Sequence, residues 1–446
     1  MALETSLARP DRQAALWTWA AAFASTSSLL TAARIAGALA GFAAQVVLAR
    51  ALHADALGLF YSVTSAAAIL GIVAAQGYPA IAPRFMARYR EQGREDWFAA
   101  FVIRARRDTL FYVAIATGFL LGLAWLWPDF STQARWALTA AALSIPAGAS
   151  IRVNGSFAIV IRRFALAYLP DTCIRPFLLL AGVLVMLGLG LTLTAPNVTW
   201  LLTGIVSALA LVQFLRVRQE IPIMAAPPAA LRLVRLWQSE AKPLIVVALF
   251  TKFFGDVDIL LVTPLLASAD TAVLGVCLKL SLLVGFAVQV AHQVVVPDLA
   301  DAHARKDRTA IRESLRRALG FPLAMTLAAL AVVALFGEQV LAIFGPEFTH
   351  AKLPLTILMA SQVARALFGP SVSLLTVIGA QRENAALALG SLMILAAANL
   401  VLAPLFGVLG ASIAVAIATL IWLIASAIVL ARFNGLRTDA VYLLGR

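Results

Sequence analysis

Residues 251–263, TKFFGDVDILLVT, place one lysine and two aspartates inside an apolar run of helix length. A charge at the centre of a membrane helix costs about 2.5–3.5 kcal/mol on insertion scales. Charges kept there face a polar interior and mark a transport route or a partner. The same polar pattern occurs 218 residues earlier: Arg34 corresponds to Lys252, Gly37 to Gly255 and Gln45 to Thr263. Positions three, four, seven and eleven apart fall along one side of a helix. Arg34, Gly37, Gly41 and Gln45 thus form one stripe, and Lys252, Gly255, Asp256 and Thr263 form another. Two helices in matching places each direct a cation inward.

The surrounding chain is apolar. Its 446 residues are 62% hydrophobic and 13% charged, with a mean hydropathy of +0.92. A soluble domain carries about 25% charged residues. The apolar runs are continuous, which excludes the short alternating segments of a β-barrel. The expectation is an all-α polytopic membrane protein. Twelve spans are long enough to cross ~30 Å of hydrocarbon: 20–48, 57–80, 101–126, 134–161, 168–190, 198–217, 241–266, 272–297, 318–343, 352–378, 384–406 and 409–431.

The formal charge of +13 does not point to nucleic acid, because the cations sit in short loops between spans. Of the 35 Lys and Arg, three (Arg50, Arg135, Lys352) fall in or at the edge of odd-numbered loops and six lie deeper inside spans; the other 26 fall in even-numbered loops, the span ends beside them and the tails. The positive-inside rule then places both termini in the cytoplasm. Trp125, Trp127 and Trp136 flank one outer loop as an interfacial belt. Cys173 and Cys277 read as small apolar fillers, not as a disulfide or metal site. The polar first 16 residues carry no cleavage signature, so the first span is expected to be retained.

The longest connection holds Pro222, Pro227 and Pro228. It divides the chain into a six-helix lobe (1–220), a cytoplasmic linker (221–240) and a second six-helix lobe (241–446). The repeat extends further. Trp127-Pro-Asp-Phe130 matches Gly345-Pro-Glu-Phe348, and Gly58 opens span 2 where Gly275 opens span 8. Span 2 ends in Pro79 and Pro83 before a basic loop, and span 8 ends in Pro297 before another. Each half has an even number of spans, so the halves should be related by an axis along the membrane normal, with a site between them near the midplane. No soluble domain is present to house a sugar-nucleotide site.

Several further segments carry a resemblance. They are LARALHADALGLFYSV (Leu48 to Val63), DVDILLV (Asp256 to Val262) followed by Leu274-Gly275, and VVVPDLADAHARKDRTAI (Val294 to Ile311). FGPEFTHAKLPLTIL (Phe344 to Leu358) and LAPLFGVLGASIAVAIAT (Leu402 to Thr419) complete the set. In order and spacing the chain resembles the polysaccharide flippases of the multidrug/oligosaccharidyl-lipid/polysaccharide exporter superfamily, over nearly its whole length. The resemblance implies two lobes around a central cavity. It also implies translocation of a polyprenyl-pyrophosphate-linked oligosaccharide to the outer leaflet, for O-antigen, capsule or exopolysaccharide. A polysaccharide polymerase is the partner such a route implies, with membrane lipid around the chain and no cofactor.

A diphosphate and glycan need a water-filled, cation-lined cavity, and an arginine fork binds phosphate oxygens bidentately. Arg34 and Lys252 lead the candidates for substrate binding, followed by Arg365, Lys279 and Gln45. Each has a structural alternative. Lys252 has Asp256 one turn away, and Lys279 lies near the outer end and can snorkel. Arg175 follows Asp171 by four residues, which suggests an ion pair; Arg152 lies toward the cytoplasmic side, and Arg50 and His53 close span 1 at its outer end. Asp256 and Asp258 are the acids deep in a span, about 200° apart around a helix. Either could carry a coupling H+ or Na+, or Asp256 could neutralise Lys252. Pro146, Pro264, Pro322 and Pro370 allow bending.

Two other readings compete. A multidrug/cation antiporter of the same superfamily would favour acids in its cavity, whereas the spans hold six cations against two or three acids. A membrane polysaccharide polymerase or ligase would need a large outer loop with catalytic His, Arg or Glu, and the outer loops are short, with four His in the chain. The lipid-linked peptidoglycan precursor flippases are near relatives that usually carry two further helices; here about 15 residues follow span 12. The topology is testable by cysteine labelling. Labels at Ala134 or Ala269 should react from outside and labels at Gly93 or Lys306 only from the cytoplasm; an odd number of crossings would overturn the repeat.

Overall fold

The computed structural model describes residues 12–221, 230–305, 307–377 and 380–434. Pro222, Pro227, Pro228, Lys306 and both ends of the chain lie outside these. The first half contains α1 (Arg12–Ala51), α2 (Ala54–Ala74), α3 (Tyr78–Glu91), α4 (Glu95–Leu126), α5 (Thr132–Val160) and α6 (Phe164–Leu169). A π-turn (Pro170–Ile174) leads into α7 (Arg175–Gly188), followed by α8 (Ala195–Glu220). The second half contains α9 (Leu231–Lys252), α10 (Phe254–Val262), α11 (Ser268–Ala304) and α12 (Arg308–Ala342). A 3-10 turn (Pro346–Ala351), α13 (Lys352–Phe368), α14 (Ser371–Val377) and α15 (Gln381–Asn434) complete it. The described residues contain no strand.

The chain is an all-α, multi-pass membrane protein. Among the described residues, nine helical stretches are long and apolar enough to cross a membrane. One of them, Arg382–Arg432, holds the last two expected spans and bends at Gly407. The seventh and tenth expected spans are divided into shorter helices. The seventh breaks at Phe253 (φ −120°, ψ 19°). Two residues before the break, the Thr251 hydroxyl donates to the Val247 carbonyl, a local bond that favours bending.

Of the expected connection 221–240, the part from Leu231 onward is already α9. Its first turns pack on the first half. Val234, Trp237 and Ala241 join Tyr78, Phe85, Tyr89 and Phe101 in one buried cluster. Trp237 is fully buried and donates from Nε1 to the Tyr89 hydroxyl at 2.8 Å. Arg84 and Glu240 pair beside it at 2.7 Å. The seventh span is therefore fastened to the first half at the end of the bundle that carries the basic loops.

At the opposite end the halves meet through α2 and α11. A Cβ on Gly58 would lie 1.8 Å from the Ser268 carbonyl oxygen, and one on Gly275 would lie 2.3 Å from the Tyr61 ring. These are the glycines that open the second and eighth expected spans, and their bare backbones let the helices approach. Two hydroxyl contacts reinforce the seam: Ser62 Oγ to Thr263 Oγ1, and Ser65 Oγ donating to Asp256 Oδ1, each at 2.9 Å. Arg50 Nε adds a bond to the Ile343 carbonyl at 2.7 Å. In lipid such seams rest on close packing and side-chain hydrogen bonds, which average only about 0.6 kcal/mol each. A branched side chain at Gly58 should therefore part the seam. In a background with Cys173 and Cys277 replaced by alanine, paired cysteines at Ser62 and Thr263 should crosslink readily. Gly58→Val should abolish that crosslink without loss of the protein; a crosslink that survives would show that the seam does not depend on the glycine.

Candidate functional site

Between the halves, on the side of the seam nearer the basic loops, lies a chamber of about 560 Å³. Four cations line it: Arg34 from α1, Arg152 from α5, Lys252 from the end of α9 and Arg365 from α13. None of the four lies within 4.0 Å of a carboxylate among the described residues. The one acid in the wall, Asp171, is bonded to Arg175 at 2.7 Å, which is the ion pair the spacing suggested.

The backbone explains how these side chains converge. Pro176 has no N–H to give to the Thr172 carbonyl, its acceptor in an α-helical ladder, just after the π-turn. Gly37 lets α1 approach it: a Cβ there would lie 2.0 Å from Thr172 O. This contact sets Arg34, one turn earlier on α1, into the chamber wall. The Arg34 guanidinium stands over the Phe286 ring of α11 at 5.7 Å, with Nε buried and unbonded. The Arg152 guanidinium stands over the Phe253 ring at 5.0 Å, so the break in the seventh span also seats a cation of the first half.

The break changes the reading of Lys252 and Asp256. Four residues apart on a continuous helix, they would lie one above the other. With Phe253 non-helical they separate, and Lys252 faces the chamber while Asp256 accepts from Ser65 in the seam. Gln45 and Lys279 also stand outside the chamber wall. Gln45 accepts from the Tyr61 hydroxyl at 2.8 Å, and Lys279 stands over the Tyr61 ring at 5.0 Å. Both belong to the closed end.

Asp258 is fully buried and accepts from Asn399 Nδ2 at 2.7 Å. Its Oδ2 and the Asn399 Oδ1 have no partner within the described protein. A carboxyl proton or a small monovalent cation would supply what the pair lacks. Asn399, an amide within the eleventh apolar span, and Arg152 are polar residues whose roles the sequence did not disclose.

A second cavity, of about 620 Å³, adjoins the chamber. It is an apolar groove between α1 and α11, lined by Ile35, Leu39, Leu283, Val290 and Phe321, with Asp298 and Arg317 at one end. Phe286 walls both spaces, and Arg34 and Ile35 are neighbours on α1.

No protein-family model matches this sequence, and no curated protein matches it. Solved structures do. The lipid II flippase MurJ, in an inward closed conformation, superposes with a TM-score of 0.68 at 14% identity, over 90% of this chain and 87% of that one. A MATE family multidrug resistance transporter of the MOP superfamily, in its inward-facing conformation, gives 0.68 at 12% identity, over 90% and 94%. The chain has the fold of the MOP superfamily. An outward-facing MATE family transporter gives a lower TM-score, 0.56 at 14% identity over 90% and 95%. If the chamber is the anion site of this fold, Arg152→Ala should weaken inorganic pyrophosphate binding. A charge-assisted bond contributes about 1.5–3 kcal/mol, or about 10- to 150-fold. Lys279→Ala should change affinity by less than about twofold. Titration calorimetry on the solubilised protein checks both, and equal losses would place the site elsewhere.

Proposed function

We propose that this chain is a flippase that carries a polyprenyl-pyrophosphate-linked oligosaccharide from the cytoplasmic to the outer leaflet by alternating access, for export of a surface polysaccharide. The charge of the chamber carries this reading. Arg34, Arg152, Lys252 and Arg365 face one space, and its single carboxylate is already bonded to Arg175. A diphosphate supplies the missing anion, and guanidinium forks bind its oxygens bidentately. The groove beside Arg34 suits the lipid tail, while the glycan occupies the hydrated chamber. The basic loops and both termini face the cytoplasm of a bacterial inner membrane, so substrate enters from that leaflet. A polysaccharide polymerase on the far side would consume the product.

Asp258 is the coupling residue in this reading. Asp256 spends its hydrogen bonding on Ser65 in the seam, whereas Asp258 sits with Asn399 and two unpartnered oxygens in the second half. H+ or Na+ taken up there would bias the packing of α10 against α15. The antiporter of cationic drugs fits less well, because four unpaired cations repel such a cargo.

Arg34→Ala should leave the lipid-linked repeat unit on the cytoplasmic leaflet while the protein remains abundant in the membrane. Arg34→Lys should restore part of the transport, since it keeps the charge and loses the fork. Normal transport by Arg34→Ala would remove the chamber from the mechanism. Asp258→Asn should abolish gradient-driven transport with pyrophosphate binding intact; unchanged transport would leave Asp258 as a structural partner of Asn399.

A further inference from the structure

On the second-half side the chamber opens into an annex of about 100 Å³. Thr251, Gly285, Gln289 and Arg365 line both spaces. His292 of α11 and Trp422 of α15 wall the annex, and they are only 9% and 4% exposed. His292 Nε2 and Trp422 Nε1 have no hydrogen-bond partner within the described protein. The Trp422 ring is fixed against Phe250, with centroids 4.5 Å apart. Binding of a diphosphate at Arg34 uses none of these groups.

A buried polar atom left unpaired costs about 1–3 kcal/mol, so two in one small space mark a place built for a partner. An indole N–H can only donate, and so can a guanidinium. His292 Nε2 can donate when it carries the proton. No carboxylate lines the annex. The matching group is therefore planar, anionic and rich in acceptors. At about 30 Å³ per water, the space equals about three waters, which suits a carboxylate and is too small for a lipid-bearing diphosphate. The diphosphate belongs at Arg34, beside the apolar groove where its lipid runs. Arg365 is the one cation shared by chamber and annex.

We propose that the annex formed by Arg365, His292 and Trp422 is a carboxylate subsite that selects glycans bearing an acidic sugar. The proposal rests on the flippase reading and narrows its substrate to uronate-type repeat units. The Arg365 fork engages both carboxylate oxygens, and the His292 and Trp422 N–H groups complete their hydrogen bonding. The hydroxyls of a neutral sugar can accept from the N–H groups but leave the guanidinium charge without its bidentate anionic partner, which disfavours such a sugar.

The test compares trigalacturonate with its methyl ester, and both with inorganic pyrophosphate, on the solubilised full-length protein by calorimetry. The wild type should bind trigalacturonate at least about tenfold more tightly than the ester, the gain expected from one charge-assisted bond. Trp422→Phe keeps an aromatic ring and removes the N–H. It should lose most of that preference while pyrophosphate affinity stays within about twofold. If this variant does not fold, His292→Ala is read in the same way. A wild-type protein that binds pyrophosphate but treats acid and ester alike overturns the subsite alone, as does a full preference retained in the folded variant. A wild type that does not bind pyrophosphate overturns the flippase reading beneath it.

Discussion

Four cations without carboxylate partners set the terms for this structure. At about 2.5–3.5 kcal/mol each, Arg34, Arg152, Lys252 and Arg365 together would cost on the order of 10 kcal/mol in hydrocarbon. That is comparable with the whole stability of a typical fold. The charges share one open space between the helices and do not face hydrocarbon. Such a space requires the halves to stand apart on one side, and so the halves must be held together on the other. The seam at Gly58 and Gly275 meets this need with backbone approach and short hydroxyl contacts, which hold firmly when packed and separate at small cost.

The seventh span connects these regions. Its first turns are anchored on the first half by Trp237, its last residue in α9 is the chamber cation Lys252, and beyond Phe253 it supplies Asp256 and Thr263 to the seam. A continuous helix could not do all three. The seated Trp237 cluster is large and aromatic, whereas the seam bonds are few and weak, so the two ends of this span differ in how readily they let go.

Much of this was readable from the residues, for definite reasons. Long apolar runs and the segregation of Lys and Arg disclose helices and loops, because lipid allows few alternatives. Arg34 and Lys252 stood out because each is a lone cation in a stripe of small and polar residues. The break at Phe253 was not readable: nothing in TKFFGD excludes a continuous helix, and the regular spacing of Lys252 and Asp256 argued for one. Gln45 and Lys279 fall on polar faces as expected, yet those faces meet Tyr61 at the closed end, which depends on how far along the helix the halves part. Asn399 and Arg152 act through residues distant in sequence, Asp258 and Phe253, and no local pattern names such partners.

The central claim is that the chamber selects its cargo by the charge of the diphosphate. The direct measurement uses proteoliposomes containing the wild-type chain and one fluorescent oligosaccharide on two polyprenyl carriers, one joined through diphosphate and one through an uncharged ether. Transbilayer movement is read from the fraction that a membrane-impermeant quencher can reach. The expected result is rapid movement of the diphosphate-linked form with the ether-linked form at the rate of empty liposomes. Equal movement of both forms would contradict the account, because the four cations would then have no part in choosing what crosses.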